Sequence, residues 1–157
     1  MEKTLVIIKP DAVNRSIVGE VLKRFESKGL KIVGLKMTSL EPYVLKEHYA
    51  HHKDKKFYEE LIKFMASIPS VVVALEGKEA CAVVRKMIGN TLGREAEPGT
   101  IRGDFSVSNQ CNIVHASENL EIAEQEIKRF FKKEEIFSYS KVNFDWIYAS
   151  DEKSKIC

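Results

Sequence analysis

The sequence predicts an α+β fold in which helices pack against a four-stranded antiparallel sheet. Three observations support this: four short β-branched segments, amphipathic helices between them, and the order in which the two alternate. With 157 residues, one domain with a substantial core is expected. We expect it to span residues 1–148, followed by a short polar tail at 149–157.

The predicted strands are short apolar segments. Residues 4–8 are a nearly continuous apolar run, which is typical of a central strand buried on both faces. Residues 30–38 and the valine-rich residues 70–75 give the second and third strands, and residues 112–115 give a short fourth.

Apolar residues at helical spacing predict the helices. Helices are expected near residues 18–25, 43–50, 61–68, 80–88 and 123–131, with Gly29 after the first and Pro69 after the third. Residues 89–105 contain four glycines and a proline, and are expected to form a long loop, which in a compact domain is usually functional.

The order of these elements is β-α-β, further helices, and then β-α-loop-β-α. This is the split β-α-β pattern of a ferredoxin-like α/β sandwich with added helices. A doubly wound Rossmann-type sheet is the alternative, but it requires a glycine-rich turn after the first strand, where this chain has Lys9-Pro10-Asp11.

Composition limits the class of protein. The formal net charge of +2 is too balanced for a general binder of polyanions, so an anion site must come from local clustering of cations. There are three cysteines, Cys81, Cys111 and Cys157, without a CxxC pair, and the apolar run near the N-terminus is too short to span a membrane. A reducing, cytoplasmic compartment is therefore expected.

Four histidines are candidates for chemistry. His48 and His52 have a spacing that could clamp a metal, but the HExxH glutamate is missing and lysines crowd the segment, so a solvated helix face and no protein-held metal are expected. His115 differs because it ends a strand just before a helix, where anions bind; the alternative is a histidine whose hydrogen bonds are satisfied in the core. On the last predicted helix, Glu126 points towards the apolar stripe, where a buried carboxylate needs a partner such as His115. The alternative is that Glu126 lies at the edge of the stripe and reaches solvent.

The cations of the glycine-rich stretch are candidates for phosphate binding. Arg94 and Arg102 lie within it, Arg85 precedes it, and Lys9 ends the first strand. No GxxxxGK[ST] motif occurs in the chain, which excludes a P-loop.

Four stretches carry a resemblance to a known family. They are Ile8-Lys9-Pro10-Asp11, residues 98–105 (PGTIRGDF), residues 112–117 (NIVHAS) and Asp145-Trp146. Through them the chain resembles nucleoside diphosphate kinases from about residue 4 to 148. The resemblance implies transfer of the γ-phosphate of a nucleoside triphosphate to a nucleoside diphosphate, by a ping-pong mechanism through a phosphohistidine and with broad base specificity.

The resemblance also implies roles for individual residues. His115 is the phosphorylated histidine, supported by Ser117 and Glu126, with Tyr49 beside it. The remaining implied contacts are to the nucleotide: Lys9, Arg85, Thr91 and Arg102 to its phosphates, Phe57 to the base, and Asn112 to the sugar. The family uses Mg²⁺ held largely by the nucleotide phosphates and forms homotetramers or homohexamers.

Three positions depart from the family pattern. Glu118 replaces an aspartate, Ala12 replaces a glycine, and Leu92-Gly93 replaces an Asn-Pro pair that helps subunits to pack. A nucleic-acid-binding module is the rival from another class, since RNA-recognition domains share this order of elements. The chain lacks their Lys/Arg-Gly-Phe-Gly-Phe strand, and its central strands are aliphatic, so no specific nucleic acid is expected.

Overall fold

The computed structural model describes residues 1–153. Its strands are β1 (Glu2–Ile8), β2 (Lys31–Thr38), β3 (Ser70–Gly77) and β4 (Val114–Ala116). Its α-helices are α1 (Pro10–Asn14), α2 (Val18–Ser27), α3 (Pro42–His48), α4 (Tyr58–Met65), α5 (Ala80–Ile88), α6 (Ile101–Phe105), α7 (Leu120–Phe130), α8 (Phe144–Ile147) and α9 (Ser150–Lys153). Short 3₁₀ turns occupy Ala50–His52, Gly93–Glu95 and Lys133–Glu135.

The four strands form one sheet in the order β2-β3-β1-β4. Every neighbouring pair is antiparallel, with Val6 opposite Val73 in one pair and Ile7 opposite His115 in another. This arrangement confirms the predicted ferredoxin-like α+β fold, in which β1 and β3 are the two central strands.

The continuous apolar run of β1 is buried on both faces of the sheet. Val6 and Ile8 face one apolar cluster, which α2 and α5 cover with side chains such as Phe25 and Val84. Leu5 and Ile7 face the other cluster, which α3, α4 and α7 complete. The helices added to the ferredoxin-like unit therefore bury the second face of the sheet.

The structure differs from the prediction at residues 89–105. This segment is not a continuous loop, because it contains a 3₁₀ turn and α6. The Thr100 side chain caps α6 by accepting a hydrogen bond from the backbone N–H of Gly103. Gly103 must be small, since a Cβ there would lie 2.1 Å from the carbonyl oxygen of Glu97.

The fourth strand is shorter and later than predicted. Residues 112 and 113 lie outside it, because Ile113 adopts a left-handed conformation with φ of 73°. Its backbone N–H is bound by a carboxylate oxygen of Asp11 at 3.0 Å, and its carbonyl accepts from the N–H of Lys9 at 2.8 Å. These two contacts hold the start of β4 against the end of β1.

The predicted polar tail is described only in part. Residues Ser150–Lys153 form α9, and Glu152 pairs with Lys78 at 2.9 Å. Residues 154–157, including Cys157, lie outside the described part of the chain. Among the described helices, none has both the length and the apolar character needed to cross a membrane.

Candidate active site

A cleft of about 990 Å³ opens beside the paired ends of β1 and β4. The structure brings nearly all of the predicted site residues to its walls. They are Lys9, Tyr49, Phe57, Arg85, Thr91, Arg102, Asn112, His115 and Glu126. Ser117 is fully buried behind this wall, where it contacts Glu126.

His115, Glu126 and Ser117 form a hydrogen-bonded chain. Nε2 of His115 lies 3.0 Å from Oε1 of Glu126, and Oγ of Ser117 donates to Oε2 at 2.5 Å. Burial raises the pKa of the Glu126 carboxyl, but hydrogen bonds from His115 and Ser117, together with charge attraction to His115 and Arg129, outweigh this effect and lower it. Glu126 is therefore a buried carboxylate held ionised by its partners.

Local sequence explains how this chain of residues is positioned. The Asn119 side chain caps α7 by accepting from the N–H of Ile122 at 3.0 Å, so the helix begins directly after it at Leu120. From that start, Ala123, Glu126 and Phe130 fall on one buried face of α7. The helical period thus turns Glu126 towards the sheet, where β4 presents His115.

The wall beside His115 is made of aromatic side chains. The ring centroids of His48 and Tyr49 lie 4.5 and 6.0 Å from that of His115, both edge to face. Burial, followed by repulsion from Glu126, raises the pKa of the Tyr49 hydroxyl, so this group keeps its proton. A neutral, water-poor surface therefore lies against one side of the His115 ring.

His48 corrects the expectation of a solvated helix face. It ends α3, whereas His51 and His52 lie on the following 3₁₀ turn, and its side chain has no exposed surface. Burial and the neighbouring His115 lower the pKa of His48 well below its usual range, so its ring is neutral. The spacing of Leu45, His48 and Tyr49 could have revealed this, because it puts all three on one helical face.

Lys9 and Asn112 form the floor of the cleft. Nζ of Lys9 donates to Oδ1 of Asn112 at 2.6 Å, and the Asn112 amide donates to the carbonyls of Thr91 and Asn109 at 2.8 Å each. Burial and repulsion from Arg102 lower the pKa of Lys9 to about 8. The structure thus holds a desolvated ammonium group against an amide whose two N–H groups are engaged and whose oxygen can accept a further hydrogen bond.

Arg102 binds backbone as well as lining the cleft. Its guanidinium donates to the carbonyls of Asn112, Gly89 and Val114 at 3.2, 3.1 and 2.7 Å. Burial and repulsion from Arg85 lower its pKa to about 10, which leaves it charged at neutral pH. These contacts join α6 to the segment that leads into His115, and no local sequence pattern reveals them.

The remaining lining side chains are more accessible. Phe57 is 46% exposed, and its ring lies edge to face with His52 at 5.3 Å. Arg85, Thr91 and Glu118 are exposed on other parts of the wall. The cleft is thus cationic at its base, with an aromatic ring available to solvent at its edge.

This arrangement defines a class of site. Lysine and arginine side chains at the base can neutralise phosphate oxygens, and an exposed aromatic ring can stack on a base. A histidine oriented by a buried carboxylate can act as a nucleophile. The fold and the site together are those of an enzyme that transfers phosphoryl groups between nucleotides.

Comparisons with known proteins agree with this class. The sequence profile of the family described as "Nucleoside diphosphate kinase" matches residues 2–136. The nucleoside diphosphate kinase of Parabacteroides distasonis is 53% identical over 97% of this chain and 99% of its own length. That of Pyrococcus abyssi is 50% identical over 94% of each chain. A solved nucleoside diphosphate kinase from Halobacterium salinarum, in complex with CDP, superposes with a TM-score of 0.92 at 38% identity, over 94% of this chain and 99% of that one.

The chain therefore belongs to the nucleoside diphosphate kinase family. It is a nucleotide-binding phosphotransferase that moves the γ-phosphate of a nucleoside triphosphate to a nucleoside diphosphate, with broad base specificity, by a ping-pong mechanism through a phosphohistidine.

Proposed function

We propose that His115 is the histidine that carries the phosphoryl group and that its Nδ1 is the attacking atom. The observation that carries this proposal is the 3.0 Å contact between Nε2 of His115 and Glu126. A carboxylate partner favours the tautomer with its proton on Nε2, which leaves the imidazole lone pair on Nδ1. Ser117 fixes the other carboxylate oxygen, so Ser117 and Glu126 act as positioning residues.

The transfer then proceeds in two matched steps. Nδ1 forms a bond to the γ-phosphorus as the bond between that phosphorus and the bridging oxygen breaks, and the diphosphate leaves with the electron pair. A second diphosphate enters, and its terminal oxygen takes the phosphoryl group from Nδ1. Tyr49, neutral and buried against His115, helps to keep the imidazole plane fixed and water away.

The nucleotide is bound along the cleft in this proposal. Lys9, Arg85, Thr91 and Arg102 contact the phosphates, Asn112 contacts the sugar, and Phe57 stacks on the base. Arg102 has five N–H donors and gives three bonds to carbonyls, so two donors remain for phosphate oxygens. The exposed face of Phe57 suits any base, which agrees with broad specificity.

The donor set fits Mg²⁺ that arrives with the nucleotide. Mg²⁺ in phosphate sites uses one or two carboxylates together with phosphate oxygens and waters, and Glu118 offers one exposed carboxylate on the wall. When bound, the ion offsets negative charge on the phosphate oxygens. Lys9 and Arg102 neutralise the same phosphate charge with positive groups that are already held in place by the protein.

We also infer that residues 1–148 act as a single catalytic domain, with 149–157 as its polar tail, and that the chain works in the cytoplasm as a homotetramer or homohexamer. Its partners in this proposal are nucleotides, without a membrane or a specific nucleic acid. Large apolar side chains exposed on one chain support an assembly; they include Leu35, Met37 and Trp146. The free thiols of Cys81 and Cys111 agree with a reducing compartment.

The experiment that tests this proposal is incubation with γ-labelled ATP, followed by assay of acid-labile, base-stable label on the protein. His115→Ala should remove the label while retaining a folded circular dichroism spectrum. His51→Ala removes a different histidine from the same wall and should keep the label. Label that persists in His115→Ala would overturn the assignment of the nucleophile.

A further inference from the structure

The imidazole ring of His48 is a buried polar group that has no role in the proposed phosphoryl transfer. Its side chain has no exposed surface, and neither ring nitrogen has a hydrogen-bond partner among the described residues. Buried polar atoms are nearly always bonded, so an imidazole with two free nitrogens is a candidate ligand for something that enters the cleft. His48 is one of the residues that line the cleft, and its ring contacts that of His115.

Two further ligand atoms lie next to it. One nitrogen of His48, one of His115 and one carboxylate oxygen of Glu126 all lie within 4.8 Å of one another. Oε1 of Glu126 is 3.5 Å from Nδ1 of His48 and 3.0 Å from Nε2 of His115. Tetrahedral ligands at zinc bond lengths are separated by about 3.3 Å, so the two distances from Oε1 of Glu126 lie close to that value, and the two histidine nitrogens lie within 4.8 Å of each other.

We propose that His48, His115 and Glu126 form a binding site for a zinc-class transition-metal ion, and that metal bound there blocks phosphorylation of His115. Two imidazoles and a carboxylate are a ligand set that zinc uses in proteins, with a fourth position left for water. All three ligand residues line the cleft. Mg²⁺ prefers six oxygen ligands, so the ion carried by the nucleotide does not compete for this set.

The block follows from the tautomer of His115, and this part rests on the proposed function. A neutral imidazole has one nitrogen with a proton and one with a lone pair. Metal on Nε2 uses that lone pair and leaves the proton on Nδ1, the proposed attacking atom. Glu126 favours the opposite tautomer in the metal-free protein, so the ion converts the nucleophile into its unreactive form.

Zinc binding can be measured without any turnover. Protein free of nucleotide and Mg²⁺ is titrated with Zn²⁺ against a chromogenic chelator, and with Co²⁺ to record the visible absorption of a tetrahedral site. We expect one ion per chain. Removing a residue that merely hydrogen-bonds to a metal ligand usually weakens metal binding by about tenfold or more. Because His48 is itself a proposed ligand, His48→Gln should weaken zinc binding at least tenfold and should abolish the cobalt absorption band.

His51→Gln is the matched control, because it removes a neighbouring histidine from the cleft wall but no proposed ligand. It should bind zinc like the wild type. Equal affinity in His48→Gln, loss of binding only in His51→Gln, or no saturable zinc binding would each overturn the site. A second variant, His48→Asn, gives the same test should His48→Gln fail to fold.

The inhibitory part is tested by loading the protein with Zn²⁺ and then mixing it with labelled ATP and Mg²⁺ for one turnover. Labelled protein should fall in proportion to zinc occupancy and recover when a zinc-selective chelator is added. Undiminished labelling of zinc-loaded protein would overturn the inhibition. Failure of metal-free wild type to become labelled would instead refute the proposed nucleophile, while the titration still decides the metal site.

Discussion

One carboxylate oxygen of Glu126 lies 3.0 Å from Nε2 of His115, while the other accepts from Ser117 at 2.5 Å. Both oxygens of a nearly buried carboxylate are thus committed to fixed partners. The nitrogen of His115 that meets Glu126 cannot also face a phosphate. The relationship therefore determines which side of the imidazole is available to a nucleotide.

Replacing Glu126 should slow phosphorylation without weakening nucleotide binding. Glu126→Gln keeps the volume but loses the charge that favours a proton on Nε2, and loss of such an orienting carboxylate costs roughly 10²–10⁴ in rate. Rapid-quench labelling and equilibrium nucleotide binding separate the two effects. Glu124→Gln, on the exposed face of α7, serves as the control. Full activity in Glu126→Gln would show that the carboxylate has no part in orientation.

The lowered pKa of Lys9 predicts a pH dependence. Its ammonium form, which attracts phosphate, is lost above about pH 8 in the free protein, so kcat/KM should fall above that pH. Lys9→Arg keeps its charge, and its profile should lack this fall. Since burial destabilises the charged form, the Lys9 contribution to unfolding free energy should rise between about pH 8 and 10.5, where only the unfolded chain binds the proton. An unchanged alkaline fall in Lys9→Arg would contradict this role.

Phe57 should contribute to the binding of every nucleotide about equally. Stacking on an aromatic ring is worth about 1–3 kcal/mol, so Phe57→Ala should raise KM about fivefold or more for GDP, CDP and UDP alike. In the wild type, the kcat/KM values for these three should lie within roughly two decades. Tyr43→Ala removes another exposed aromatic side chain away from the cleft, and its KM values should match the wild type. Strict use of one base would count against the stacking role.

Assembly should be visible by light scattering. We expect a tetramer or hexamer at micromolar concentration, since several large apolar side chains are exposed on the single chain. Leu92-Gly93 stands where the family usually has an Asn-Pro pair that helps subunits to pack. The measured number of subunits therefore shows whether this replacement changes the assembly. A stable and active monomer would refute the proposed oligomer.

Much of the fold follows from periodicity. The β-branched runs gave the three long strands, and the apolar stripes gave α2, α4, α5 and α7 close to their observed bounds. The inward direction of Glu126 also followed from helical spacing, because three residues after Ala123 returns to the same face. These features depend on local sequence, so pattern alone could find them.

Other features depend on contacts between distant segments. The left-handed conformation of Ile113 is held by Asp11, and Arg102 binds the carbonyls of Gly89 and Val114, which belong to separate segments. The burial of His48 depends on α3 packing beside α7 and β4. No spacing within a single segment encodes such meetings, although the spacing of Leu45, His48 and Tyr49 could have revealed an inward histidine where a solvated helix face was expected.

The proposal that Nδ1 of His115 carries the phosphoryl group is tested most directly by phosphorus NMR of the phosphorylated protein, labelled with ¹⁵N-histidine. Coupling between phosphorus and nitrogen identifies the ring atom that carries the phosphoryl group, and His115→Ala identifies the residue. We expect a single phosphohistidine, at Nδ1 of His115, because Glu126 lies against Nε2. Phosphorus bonded to Nε2, or to another histidine, would contradict it.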